Sequence, residues 1–299
     1  MKKYAVLMFA LASVTLFAQT PQELAEFKKG NQLYNRGKYQ DAAVIFQQLA
    51  EKGSDAIKAK ALFYKALADG KNHRVKLADA LKSVEAVQDA KLKAYAGMTA
   101  YYYRNQWAKV ATVYANEAIE NWPEDYAYIS WLYRGDSRNY RRMYDKAEQD
   151  LLLAEKNAGS DGNVYMLALN SLYRLYTTKK QYDKALAILE KVRGKAGQYA
   201  GHRYYLAPLT NCASVFIGLQ KLDDGHKMLD EVNQKARVEK RNDAYACQYF
   251  ISRGKLYQAQ GDKAKALACY QKAAKCNAHK FYIGIAMELE KKLQAGTGK

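Results

Sequence analysis

The residues that could do chemistry are few in this chain, and their spacing does not match a known catalytic motif. The four histidines, His73, His202, His226 and His279, are far apart and lack the spacing of metal ligands. The sequence contains no Walker-type phosphate loop, no HExxH zinc motif and no GxSxG nucleophile motif. We therefore predict a protein that is not an enzyme and that uses no metal ion and no cofactor.

Two short stretches resemble binding motifs, and each has a simpler explanation. Residues 134–137 read Arg-Gly-Asp-Ser, which would serve adhesion only on a protruding loop, whereas here they fall in a helical pattern. Residues 194–201, GKAGQYAG, are rich in glycine, but no strand precedes them. We predict a turn between two helices there instead of a phosphate cradle.

Composition and charge indicate a helical protein with a positive surface. Only 3 prolines occur, and Ala, Leu, Lys and Gln are frequent, which favours helices. The 48 Lys and Arg residues exceed the 30 Asp and Glu residues, so the net charge is +18, which attracts anionic surfaces. Tyrosine is unusually common, with 26 residues against 8 Phe, and its amphipathic ring suits half-buried positions and interfaces.

The amino-terminal segment has the features of a signal peptide. Lys2 and Lys3 precede an apolar run that ends at Ala18 and is too short for a comfortable membrane span. We predict that residues 1–18 are removed and that residues 19–299 are periplasmic or secreted, without a lipid anchor or a transmembrane segment. An uncleaved anchor is the alternative. Export also argues against nucleic acid as a partner.

One helical pattern recurs along the chain at spacings of 30 to 41 residues. Small residues are each followed four positions later by a bulky one, and the small positions are Ala42, Ala80, Val110, Ala147, Ala185, Gly225 and Ala266. This spacing predicts one face of an amphipathic helix. A polar loop and another helical segment precede each of these helices, so the chain reads as a series of helix hairpins.

Two further sets of residues recur with the hairpins. The first helices carry a small residue that would allow close packing, at Gly30, Gly135, Ala213 and Gly254. Aspartates open several second helices, and we predict that they cap the free backbone N–H groups; they are Asp41, Asp145, Asp183 and Asp262.

These features resemble the tetratricopeptide repeat (TPR) family. In residues 131–157 and 250–278 an aromatic residue is followed by Gly four positions on, by Ala twelve beyond that, and by a bulky residue four further. The resemblance implies an all-α fold, a right-handed α-solenoid of about seven hairpins with a carboxyl-terminal capping helix over 279–294. The hairpins are predicted near 24–53, 54–88, 91–122, 126–158, 164–195, 204–236 and 244–278. The second departs from the pattern, since its two helices do not share one register.

By this resemblance, the first helices line a concave groove. The groove residues that avoid the packing positions are Asn31, Tyr34, Tyr95, Tyr102, Asp136, Asn139, Tyr140, Asn170 and Arg174. Asn bonds a peptide backbone as donor and acceptor, and Tyr supplies rigid contact area. The alternative is that these tyrosines pack within or between hairpins.

The four cysteines all lie late in the chain, at Cys212, Cys247, Cys269 and Cys276. Cys247 starts the first helix of the last hairpin and Cys276 ends the second, so a disulfide between them fits an antiparallel hairpin in an exported protein. The alternative is that all four are small buried residues.

The sequence thus favours a non-catalytic interaction scaffold of the bacterial cell envelope, with a peptide or protein bound in its groove. The alternative is a binder of envelope carbohydrate or another anionic polymer, such as peptidoglycan or polysaccharide, through a basic, Tyr-rich surface.

Overall fold

The computed structural model describes residues 20–123, 127–159, 161–199 and 203–296. Within these ranges the chain consists of helices and their connections, without a β-strand. The predicted all-α helical-repeat fold is confirmed. The predicted signal peptide, residues 1–18, lies outside the described ranges. Each described helix is too short or too polar to span a lipid bilayer.

The chain divides into two compact units, Met1–Val164 and Tyr165–Lys299. The helices of the first unit are α1 Pro21–Asn35, α2 Tyr39–Lys52, α3 Asp55–Lys71, α4 Leu77–Glu85, α5 Ala90–Tyr103, α6 Trp107–Lys109, α7 Asn116–Asn121, α8 Ala127–Tyr140 and α9 Tyr144–Asn157. A π-helical segment, Val110–Ala115, joins α6 to α7.

The helices of the second unit start with one that begins at the boundary. They are α10 Gly162–Thr178, α11 Tyr182–Arg193, α12 Ala196–Tyr199, α13 Arg203–Thr210, α14 Ala213–Gly218, α15 Leu222–Ala236, α16 Ala244–Ala259, α17 Lys263–Ala274 and α18 Lys280–Ala295. The helix α18 packs on the last hairpin, where Leu293 joins Ala266 and Tyr270 in one apolar cluster. Such a helix shields the final apolar face of a repeat array from water.

Glycines let the two helices of a hairpin approach closely. A Cβ atom added at Gly30, Gly135 or Gly254 would lie 2.5 to 2.8 Å from a side chain of the facing helix, which is closer than packed atoms come. The facing residues are the bulky ones of the repeat pattern, namely Phe46, Leu151 and Tyr270 respectively. The predicted packing role of these three glycines is confirmed.

The loop inside a hairpin, here called a hairpin loop, reverses the chain through one left-handed residue. Lys38 N–H donates to the Leu33 carbonyl at 2.9 Å, and Gly37 N–H donates to the Tyr34 carbonyl at 3.0 Å. These two bonds satisfy carbonyls at the end of α1 in a Schellman motif. The same closure recurs in six hairpins, with φ between 55° and 83° at Gly37, Asn105, Arg142, Lys180, Gln220 and Gly261.

The prediction of aspartate caps holds at one site and is wrong at three. Asp262 is the N-cap of α17 and accepts a hydrogen bond from Lys265 N–H at 3.0 Å. Asp41, Asp145 and Asp183 lie in the first turn instead, because their helices begin one or two residues earlier. Their negative charge still interacts favourably with the positive end of the helix dipole.

The third hairpin differs from the first by one residue. Its left-handed loop residue Asn105 follows Gly97 by eight positions, whereas Gly37 follows Gly30 by seven. Tyr114, in the π-helical segment, nevertheless packs directly against Gly97. A π-helix turns less per residue than an α-helix. We infer that the wider turns bring Tyr114 back over the glycine.

The Arg-Gly-Asp-Ser stretch lies inside α8 and is not a protruding loop. Asp150 of α9 is 2% exposed. Its carboxylate accepts hydrogen bonds from Nε and Nη2 of Arg134, at 2.9 and 2.8 Å. Arg138 Nη1 adds a third bond to the same carboxylate at 2.7 Å. Because Gly135 packs against α9 and Asp136 is buried, the stretch serves helix packing.

Candidate functional site

Five tyrosines lie on the first helices of successive hairpins in the first unit and are here called the tyrosine face. They are Tyr34 of α1, Tyr64 of α3, Tyr102 and Tyr103 of α5, and Tyr133 of α8. The Tyr34 and Tyr64 ring centroids are 6.4 Å apart, and the Tyr102 and Tyr133 rings stack at 4.2 Å. Tyr133 is buried and the other four are half-buried.

A lysine ammonium lies among these rings. Lys71 Nζ, at the end of α3, is 4.5 Å from the ring centroid of Tyr34 and 5.2 Å from that of Tyr103. Tyr39 at the start of α2 is 5.9 Å away. Such cation–π contacts add attraction between helices of three successive hairpins. They also place a positive charge at one end of the tyrosine face.

The opposite charge on this surface is Asp136 of α8. Its side chain is buried, and Tyr102 Oη donates a hydrogen bond to Asp136 Oδ2 at 2.6 Å. Burial and the neighbouring Asp136 raise the pKa of Tyr102 well above 10. The hydroxyl therefore remains a donor at neutral pH and fixes α5 against α8.

The other groove residues predicted in the first unit differ from one another in how far they are buried. Tyr95 is buried with its ring 6.0 Å from that of Phe63, so its place in the core disagrees with the predicted groove position. Asn31 is half-buried, and its Oδ1 atom is buried without a hydrogen-bond partner among the described residues. At the end of α8, Asn139 is half-buried and Tyr140 is 69% exposed.

The two remaining predicted residues belong to the second unit. On α10, Asn170 is half-buried and Arg174 is exposed. Between them Tyr173 Oη donates to the Asn211 carbonyl at 2.6 Å, where α13 ends before α14. On α16, burial lowers the pKa of Lys255.

Sequence reasoning missed several residues of the tyrosine face and its lysine. Lys71 lies beside the loop of the second hairpin, where the repeat register is irregular, so no alignment placed it. One feature of the sequence could have predicted this surface: Tyr recurs near the ends of first helices, at Tyr34, Tyr103 and Tyr140.

The four cysteines are free thiols in the structure. Burial raises the pKa of Cys212 to about 12. Burial and the neighbouring Cys276 raise the pKa of Cys247 to about 11, so these two thiols interact. A disulfide between them stays a prediction.

Comparison with known proteins identifies the fold. No protein-family model and no curated sequence matches the chain. A tetratricopeptide repeat protein from Parabacteroides merdae is similar in structure, with a TM-score of 0.56 and 15% identity over 92% of this chain and 100% of that one.

Two other solved structures are more distant. Yeast Tom70 has a TM-score of 0.45 and 13% identity over 96% of this chain and 66% of its own. Cut9–Hcn1, from the anaphase-promoting complex, has a TM-score of 0.39 and 14% identity over 90% and 55%. This chain has the tetratricopeptide repeat fold, as indicated both by its similarity to the Parabacteroides protein and by the recurring glycine contacts.

Proposed function

We propose that this protein is a non-catalytic interaction scaffold that binds a peptide or protein partner on the tyrosine face. The observation that carries the proposal is the group of tyrosine rings on the first helices of successive hairpins, four of them half-buried. Tyrosine rings offer large contact areas with few rotatable bonds, so little entropy is lost on binding. Lys71 and the rings fix one another, which favours a preformed surface.

The setting we propose is the bacterial cell envelope, with the chain periplasmic or secreted. Its support is the charged and then apolar sequence of residues 1–18. The repeat fold also supports a scaffold, because stacked hairpins offer extended surfaces to other chains.

The test is affinity purification from the envelope fraction with variants of the tyrosine face. Tyr64→Ala and Tyr103→Ala each remove a half-exposed ring, and Tyr282→Ala removes a half-exposed ring from α18 as the control. We expect the wild type and Tyr282→Ala to retain the same proteins, and the other two variants to lose them while remaining helical. Identical sets of retained proteins from all four would overturn the proposal.

The second candidate is a binder of envelope carbohydrate or another anionic polymer. The half-exposed rings and the net charge of +18 support it, since aromatic faces stack on sugars and positive charge attracts polyanions. Retention on peptidoglycan or on an acidic polysaccharide that falls steeply with salt is the expected result. Absence of retention at low salt would remove this candidate.

A further inference from the structure

The hairpin loops of the first unit carry an unusual set of charges. These loops, residues 36–38, 72–76, 104–106 and 141–143, are here called the loop edge and contain no Asp or Glu. Their exposed basic residues form no ion pair among the described residues; they are Arg36, Lys38, Arg74, Lys76, Arg141 and Arg142. Their charges are therefore available to a partner.

Side-chain contacts hold the first three loops next to one another. Arg104, in the third loop, donates to the carbonyls of Asp69 and Gly70, which precede the second loop. Lys71 contacts Tyr34, which precedes the first loop, and Tyr103, which precedes the third. The first three loops thus border the tyrosine face.

Helix dipoles do not explain this surplus of positive charge. First helices end at the loop edge and favour cations, but second helices begin there and favour anions equally. The anions are present, as Asp41, Asp79 and Asp145 in the first turns, and Asp79 pairs with Lys82 at 3.2 Å. The basic residues in the loops themselves remain in excess.

A cavity beside the second loop has the chemistry of a peptide site. It measures about 380 Å³, and Val44 and Val75 give it an apolar surface. Gln40 and Gln47 line it with amides, which can pair with backbone N–H and C=O groups. Arg74 lies at the same cavity. The Lys65–Asp69 ion pair also lines the cavity, so its lining carries two cations and one carboxylate. The resulting positive charge attracts a polypeptide that carries carboxylates.

We propose that the loop edge binds an acidic segment of the protein partner, whose adjoining part occupies the tyrosine face. This inference rests on the proposed scaffold function and adds the chemistry of the partner. Carboxylates of the segment would lie against the loop arginines and lysines, and its backbone against the glutamine amides. Binding of this kind weakens as salt rises, because the charges are exposed.

The test uses two triple variants of equal net charge and a labelled oligoglutamate peptide, followed by fluorescence anisotropy. The edge variant is Arg36→Glu, Arg74→Glu and Arg141→Glu, one from each of three loops. The control variant is Lys28→Glu, Lys52→Glu and Lys156→Glu, exposed residues outside the loops. We expect about tenfold or more weaker binding by the edge variant and a change within about twofold for the control.

Several results would overturn the inference. Equal loss in both variants would mean attraction by net charge alone, and unchanged binding by the edge variant would mean that the loops are not used. Tighter binding of polygalacturonate, or of vesicles containing phosphatidylglycerol, with the same dependence on the edge would assign the surface to a different partner. The edge variant could bind oligoglutamate no more weakly than the control variant while Tyr103→Ala still loses its protein partners. In that case only this inference fails and the scaffold function stands.

Discussion

Replacing Asp150 by Ala removes the single carboxylate that two arginines share in the fourth hairpin. Three hydrogen bonds of 2.7 to 2.9 Å join this carboxylate to Arg134 and Arg138. Arg134 Nη1 keeps one other partner, Asn116 Oδ1 at 2.7 Å. In the Asp150→Ala variant the two guanidinium groups would face each other across a small void without an anion.

The expected cost follows from the burial of the three groups. Breaking a buried ion pair by removing one partner costs about 3–5 kcal/mol. The side chains of Arg134 and Arg138 are 16% and 22% exposed, so water can solvate them in part. We therefore expect a loss of about 3 kcal/mol, at the lower end of that range. Asp150→Asn keeps an acceptor without its charge, and we expect about half that loss, since neutral hydrogen bonds are roughly half as strong.

Urea unfolding followed by far-UV circular dichroism measures this loss. With a urea dependence of about 1–3 kcal/mol per molar, the midpoint of the first unit should fall by about 1–3 M. The control is Asp79→Ala, whose carboxylate is 54% exposed and pairs with Lys82 at the surface. We expect it to change stability by less than about 1 kcal/mol. If Asp150→Ala and Asp79→Ala have the same midpoint, the assigned role of Asp150 is wrong.

Three further predictions follow from the hairpins and the buried thiol. Lys180→Gly should raise the free energy of unfolding by about 0.5–1 kcal/mol, because φ is 55° there, whereas Lys184→Gly inside α11 should lower it by about 1 kcal/mol. Gly254→Ala should lower it by about 1–3 kcal/mol, since the new Cβ would lie 2.5 Å from the Tyr270 ring. Cys212 should resist alkylation at pH 9 in the folded protein and react in urea, because burial raises its pKa to about 12. Urea midpoints test the first two, and peptide mass spectrometry tests the third.

Each of these has a clear contrary result. Destabilisation by Lys180→Gly would mean that the lysine side chain outweighs the backbone cost. A neutral Gly254→Ala would mean that Tyr270 moves aside without loss of packing. Because burial raises the pKa of Cys212 in the folded protein, the unfolded chain loses this proton first as pH rises. The contribution of the thiol to the free energy of unfolding is therefore complete below about pH 8.5 and is lost as pH rises towards 12. Rapid labelling at pH 9 would show that the thiol reaches solvent.

Much of the fold was predictable from the sequence because helix packing repeats the same pair of residues. Gly135 and Leu151 stand in the spacing that also joins Gly30 to Phe46, and the structure places both pairs in direct contact. In these two hairpins the pattern depends only on local periodicity and on loops of equal length. It needs no knowledge of distant contacts.

The candidate site was less predictable. Helical periodicity predicts on which side of a helix a residue lies, but not how deeply the neighbouring helices bury it. Tyr95 and Tyr102 are two turns apart on the same side of α5. The first packs on Phe63 within the core, while the second donates a hydrogen bond to Asp136 of the next hairpin. Lys71 joins rings from three hairpins, and this meeting depends on how the helices stack.

The π-helical segment Val110–Ala115 bears on how such a chain can change its length during evolution. One inserted residue in an α-helix rotates everything beyond it by about 100°, which would turn an apolar face towards water. The third hairpin has one residue more than the first between its glycine and its loop, and Tyr114 still meets that glycine. A hairpin of this kind therefore tolerates a difference of one residue without losing the contact that packs its two helices.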